Sequence, residues 1–212
     1  MSTGINCICL PGGEDIPPRL YGAEATEATQ WSGDYRRSIL EIALIDAAFN
    51  KGIPLMAVCR GFQMVNVLFG AQLNQHVPWQ LGAQRFQFNT PAKHLLGSKL
   101  PNSFRSAVSH HQAVKQEPFA TDHIEPTIIY NGMVKGAELK YPVAAPMVLT
   151  QFHPEYLNTQ STEKTYAGKL KANALNLVIS TSNDEFFKLF GTASLTHFRR
   201  NKVNIELLTP LR

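Results

Sequence analysis

Cysteine is scarce in this chain: Cys7, Cys9 and Cys59 are the only three among 212 residues. The count is odd, and Cys7 and Cys9 lie too close in one strand-like run to bridge comfortably. No disulfide framework is implied, which points to a reducing compartment. CxxC pairs and histidine runs with metal-ligand spacing are missing, so no metal or cofactor is expected. Long apolar runs are missing too; the longest falls far short of the ~20 residues that span a bilayer. The opening MSTGINCICL shows no basic stretch leading into a long apolar one, so no secretory signal is evident. A cytoplasmic chain without membrane contact is the expectation. Charge of one sign is also in short supply. The formal net charge is +4 and the pI about 9.0, spread along the chain, which gives little reason to expect nucleic acid. The densest basic stretch, His197, Arg199, Arg200 and Lys202, reads as the end of a solvated helix.

What is present is an ordinary globular balance, 44% hydrophobic and 17% charged, in a length that suits one domain over 1–212. INCICL (5–10) reads as a short buried strand, stopped by PGGEDIPPRLYG (11–22), where glycines and prolines force a loop. A helix follows over SGDYRRSILEIALIDAAFNKG. Ser32 or Asp34 can cap its start, Tyr35, Ile39, Ile42, Ile45 and Phe49 recur at helical spacing, and Gly52 ends it. PLMAV (54–58) is then a strand and GFQMVNVLF (61–69) a helix. This order describes an α/β domain with a parallel sheet. Beyond Gly70 the pattern is mixed, with short strands and turns at best up to about residue 97. FRSAVSHHQAV (104–114) is strand-like, TIIYNGMVKGAEL (127–139) reads as a hairpin about Asn131-Gly132, and PMVLTQFHPE (146–155) is a strand with a polar end. Residues 162–180 fit helix or irregular chain. The stretch from Asn183 to Arg200 is amphipathic helix, with Ser182 or Asn183 as its cap.

The informative point is Cys59, where a buried strand turns into a helix. A thiol attacks only as thiolate, and the first turn of a helix favours that form. Parallel sheets gather their sites at the carboxyl ends of strands, where PLMAV delivers Cys59. Gly61 permits a tight elbow, as in nucleophile elbows generally, although Ala57 stands where the generic motif has glycine. The elbow alone leaves a buried structural cysteine open. A thiolate mechanism also needs an imidazole and a group to orient it. QFHPEY supplies both: in extended chain His153 and Glu155 face the same side, and Pro154 marks a strand end.

PGGEDIPPRLYG, PLMAVCRGFQMVNVLFGAQL, HHQAV and QFHPEY, in this order, resemble the class I glutamine amidotransferase-like family, and within it the γ-glutamyl hydrolase branch of the γ-glutamyl-γ-aminobutyrate hydrolase type. Arg37 and Glu41 stand where that branch has a helical arginine–glutamate pair. The resemblance covers roughly residues 5–156. It implies a flavodoxin-like doubly wound α/β sheet, mostly parallel, here lacking the usual N-terminal strand–helix–strand unit. It also implies a cysteine hydrolase that cleaves γ-glutamyl amides through a thioester and needs no cofactor. Carried over by position, Cys59 is the nucleophile, His153 the base and acid, and Glu155 its orienter. Backbone N–H groups of Gly12, Gly13 and Arg60 form the oxyanion hole. Gln63 lines the glutamyl pocket, and His110, His111 and Gln112 match the family's His-His-Gln beside the substrate. A small γ-glutamyl compound is the expected partner, with a second copy or another chain covering the open sheet edge.

The chain departs from the family's pattern at Ser38, where the family has aspartate. Ala107 and Val108 replace a polar pair, and Lys135 reverses the charge of a glutamate. Two other readings of the same fold stand beside the hydrolase: a glutaminase subunit supplying ammonia to a synthetase, and a non-catalytic binding protein.

Overall fold

The computed structural model describes residues 5–89, 101–117, 119, 121–140, 145–156 and 186–197. The expectations for 162–180 and for a cap at Ser182 or Asn183 lie outside these residues.

Three short apolar segments form the parallel part of the main sheet: β1 (Ile8–Leu10), β2 (Leu55–Val58) and β9 (Met147–Thr150). β2 is central, paired in register from Leu55 to Val58 with Met147 to Thr150 on one side and with β1 on the other. Its side chains alternate between two cores, as a period of two requires. Leu55 and Ala57 join Ile8, Leu10, Ile45, Phe62 and Val65 on one face. Met56 and Val58 join Phe86, Phe104, Val108, Phe152, Phe186 and Phe190 on the other. The first face is covered by α1 (Arg36–Lys51) and α2 (Arg60–Leu68). The second is covered by a two-stranded ribbon of β4 (Gln80–Gln87) and β5 (Ser103–His110), and by a helix over residues 186–197 that inserts Phe186 against Phe152. The result is a flavodoxin-like α/β sheet whose central strands β2 and β9 are buried on both faces.

Antiparallel strands extend the sheet: β3 (Leu73–Asn74), β6 (Ala113–Lys115), and the hairpin of β7 (Ile124–Tyr130) and β8 (Met133–Leu139). The hairpin turns at Asn131-Gly132 as expected, both with positive φ, the signature of a type I′ turn. β8 pairs with β7 along one edge, and with β6 and then β9 along the other.

Several local expectations need correcting. β1 is only half buried, with Cys9 exposed between Ile8 and Leu10, because one of its two faces is covered. On α1 the buried residues are Ser38, Glu41, Ile45 and Ala48, whereas Ile39 is 63% exposed and Ile42 and Phe49 are half-buried. The apolar periodicity misplaced the inner face because two of its members are polar residues paired beneath it. Ser32 does not cap α1; Asp34 instead accepts the Arg36 N–H at 2.8 Å, and the helix starts behind Tyr35. β4 is a full eight-residue strand where only short pieces were expected. Its exposure pattern lacks apolar alternation, so pairing with β5 defines it.

Candidate active site

The site forms where β2 ends. The Cys59 N–H donates to the Thr150 carbonyl at 2.8 Å, continuing the ladder one step beyond β2. The chain then turns through Cys59 at φ 51°, ψ −105°, into α2. Positive φ in a non-glycine residue is strained, by about 1–3 kcal/mol, and persists only where surroundings over-determine it. Here Gly61 does so. A β-carbon on it would stand 2.7 Å from both Cβ and the carbonyl O of Leu10, so only glycine lets α2 approach β1 this closely. Cys59 is 5% exposed, with Sγ 3.9 Å from the Ser109 carbonyl.

His153 reaches the elbow from the chain beyond β9. β9 stops at Thr150, so His153 and Glu155 do not share a strand face as expected. His153 sits in a single bridge to Ala107, its N–H donating to the Ala107 carbonyl at 2.8 Å, and Glu155 lies in the turn that follows. The turn still brings the pair together: His153 Nδ1 is 2.6 Å from Glu155 Oε1. The carboxylate accepts the Nδ1 proton, leaving Nε2 as the basic nitrogen of the neutral ring. Nε2 is buried without a hydrogen bond of ordinary geometry among the described residues. Burial favours the neutral ring. Hydrogen bonding to, and the negative charge of, the Cys59 thiolate and Glu155 outweigh burial and push His153 up to about 10. Tyr156 stacks on the imidazole with ring centroids 4.4 Å apart. Gly12 closes this corner: a β-carbon there would lie 3.0 Å from His153 Cε1 and 3.4 Å from Cys59 Cβ.

The expected oxyanion donors surround the same corner. No hydrogen bond engages the Gly12 or Gly13 N–H among the described residues. The Arg60 N–H belongs to the first turn of α2, where helix donors have no internal partner. The Gly12 loop is tied from behind, since Arg37 Nη2 donates to the carbonyls of Pro11 and Gly12 at 3.0 and 2.9 Å. Arg37 Nε donates to Glu41 Oε1 at 2.8 Å, while Glu41 Oε2 pairs with Arg60 Nη1. Arg60 Nη2 donates to Ser38 Oγ at 2.9 Å, so the serine that departs from the family's pattern is a partner of Arg60. The Arg60 guanidinium, 1% exposed, is therefore held by Glu41 and Ser38 of α1. Burial pulls it down, opposed by Glu41.

A cavity of about 250 Å³ opens in front of Cys59, lined in part by Gly13, Asp15, Gln63, Trp79, His111 and Gln112. Gln63 Nε2 donates to the Gln112 carbonyl and to Gln151 Oε1, each at 3.1 Å. His111 Nε2 is 3.2 Å from Asp15 Oδ1, and its ring lies 4.7 Å from Trp79. Burial raises the Asp15 carboxyl, against the Gln30 N–H and His111. His110 also lines the cavity, but its Nδ1 is held by the Gln112 carbonyl at 2.8 Å and its Nε2 by Lys135 Nζ at 2.8 Å. Ala107 and Val108 are core residues and do not line the cavity. Asp15 and Trp79 were not anticipated. Asp15 had a signal, lying inside the Pro-Gly-Gly loop; Trp79 had none. Among the described residues no group of three or more His, Cys, Asp or Glu is placed to hold a metal ion. No helix there is long and apolar enough to cross a membrane.

This sheet, with its elbow at the carboxyl edge, is the fold of the class I glutamine amidotransferase-like proteins. The crystal structure of a glutamine amidotransferase from Thermotoga maritima matches it with a TM-score of 0.60 at 17% identity, covering 89% of this chain and 78% of that one; the likeness is one of fold. Within that class the chain belongs to the peptidase C26 family, whose profile matches residues 1–155. A Mycobacterium tuberculosis protein provisionally named a glutamine amidotransferase is 29% identical over 161 residues, which are 71% of this chain and 51% of that protein. The chain thus spans about half that relative's length. A γ-glutamyl-γ-aminobutyrate hydrolase from Escherichia coli K12 is 38% identical over 69 residues, 32% of this chain and 26% of its own.

Proposed function

We propose that the chain is a cysteine hydrolase that cleaves γ-glutamyl amide bonds through a thioester and releases glutamate. The observation that carries this reading is the corner in which Gly12 packs against both Cys59 and His153, with His153 2.6 Å from Glu155 and Cys59 lining a polar cavity. Cys59 Sγ attacks the γ-carbonyl carbon, its proton held by His153. Charge on the carbonyl oxygen is met by N–H donors of Gly12, Gly13 and Arg60, each worth about 3 kcal/mol when pre-aimed. The C–N bond breaks and His153 delivers its proton to the departing amine. Water then enters, gives its proton to His153 and attacks the thioester carbon. Glutamate leaves and the thiol is restored. Glu155 keeps Nε2 directed at the thiol throughout. Gln63, His111 and Asp15 offer polar partners suited to the charged α-amino-acid end of a glutamyl group.

The experiment is glutamate release from a panel of γ-glutamyl amides, with glutamine and an α-linked glutamyl peptide included. Release from γ-glutamyl amides, lost in Cys59→Ser, is the expected result. Release from glutamine alone would favour an ammonia-supplying subunit. No release from any member, by folded chain, would leave a binding protein on this fold.

A further inference from the structure

Lys135 is the most deeply buried lysine of the described residues, with no exposed surface. Its place follows from register. Gln151 N–H donates to the Lys135 carbonyl at 2.9 Å, and Cys59 N–H donates to the Thr150 carbonyl at 2.8 Å. β8, the end of β9 and the elbow therefore bring residues 135, 150–151 and 59 side by side. The Lys135 ammonium meets His110, the last residue of β5. His110 Nδ1 gives its proton to the Gln112 carbonyl, so Nε2 is an acceptor and Lys135 must be the donor. No carboxylate pairs with Lys135 among the described residues. Glu41 is taken by two arginines, Asp15 lies against His111, and Glu155 faces His153. Glu138 is three residues along β8, an odd step that puts it on the opposite sheet face. A buried ammonium without a counter-charge costs several kcal/mol.

We propose that Lys135 is a positioning residue for the nucleophile: its buried ammonium balances the Cys59 thiolate and, through Nε2, holds His110 at the cavity wall. The inference rests on Cys59 as the nucleophile. The groups facing this charge are Cys59 from the elbow and His110 from β5, with His111 and His153 acting on His110 in turn. Burial pulls Lys135 down to about 7, and the Cys59 thiolate is what opposes that. Burial first, and then Lys135, pull His110 down to about 3, so His110 stays a neutral acceptor at working pH. The thiolate's help from Lys135 is therefore present below about pH 7 and fades above it.

The test reads thiol ionisation rather than turnover, so its failure is distinct from failure of the hydrolase reading. In a Cys7→Ser, Cys9→Ser background the iodoacetamide labelling rate of Cys59 is followed from pH 5 to 9. Lys135→Met should move the profile up by about one unit, the scale of a nearby opposite charge, so labelling on the acid limb of the profile slows by up to about tenfold. Lys135→Gln keeps a donor for His110 without charge and should behave like Lys135→Met; a wild-type profile in either variant overturns the proposal. A second measurement leaves Lys135 in place, in case these variants do not fold. Lysine ¹³Cε resonances are titrated in wild type and in Cys59→Ser, Lys135 being the signal that moves near neutrality. Loss of the thiolate should lower its midpoint by about one unit, because linkage is reciprocal. An unchanged midpoint would overturn the proposal.

Discussion

Glu41→Gln tests the support behind the Gly12 loop. Glu41 is 4% exposed and divides its two oxygens between Arg37 and Arg60. Glutamine keeps the shape but offers one acceptor, and turns an NH₂ toward the second guanidinium, donor against donor. The Arg37 pair is one-third open to solvent, so its loss costs at most about 1 kcal/mol. Arg60 decides the magnitude. Its guanidinium is buried, Nε already lacks a partner, and only Ser38 would remain beside it. An unpaired buried charge costs about 3–5 kcal/mol, a large share of the 5–15 kcal/mol that holds a domain together. Urea unfolding followed by tryptophan fluorescence should show a midpoint lower by roughly 1–2 M, taking a slope of about 2–3 kcal/mol/M. The folded variant should also lose kcat with little change in KM, since Arg37 anchors the Pro11 and Gly12 carbonyls. A stability loss under about 1 kcal/mol would refute the reasoning, because Arg60 would then not depend on Glu41.

Gly61→Ala should destabilise the chain by about 1–3 kcal/mol in a denaturant titration, because its β-carbon meets Leu10 at 2.7 Å, backbone included; an unchanged midpoint would mean the elbow has room. Glu155→Gln should lower kcat far more than it raises KM, and a change confined to KM would remove Glu155 from the orienting role. Folding depresses Lys135 from 10.5 to about 7 and raises His153 from 6.5 to about 10. The His153 contribution is fully present below 6.5 and lost as pH rises toward 10, whereas the Lys135 penalty is full below 7 and relieved toward 10.5. Between about pH 7 and 10 the two slopes oppose each other. Lys135→Met leaves the His153 slope uncompensated, so its stability should fall relative to wild type by about 1.4 kcal/mol per pH unit across that window. Parallel stability curves would contradict this.

What could be read from the chain alone was local and punctuated. Cys59-Arg60-Gly61 after four apolar residues marks an elbow because strand, turn and helix preferences all agree there. Asn131-Gly132 announces its turn in the same way. His153 and Glu155 were picked out together, but for an extended geometry the structure does not have; a bridge to Ala107 and a turn bring them together instead. α1 misled because its inner face is built from Ser38 and Glu41, whose shared partner Arg60 is remote in sequence. Lys135 showed the same limit more sharply. Its charge was visible, yet its burial against His110 depends on a crossing of β8 and β5 that no periodicity encodes.

The central claim is that Cys59 carries the bond-breaking step, and turnover of Cys59→Ala on the best γ-glutamyl amide tests it most directly. The account predicts an unfolding transition like that of wild type, with glutamate release abolished. In acid-quenched wild type, the glutamyl group should be bound to the peptide containing Cys59. Release from Cys59→Ala at the wild-type rate, or a glutamyl adduct on another residue, would contradict it.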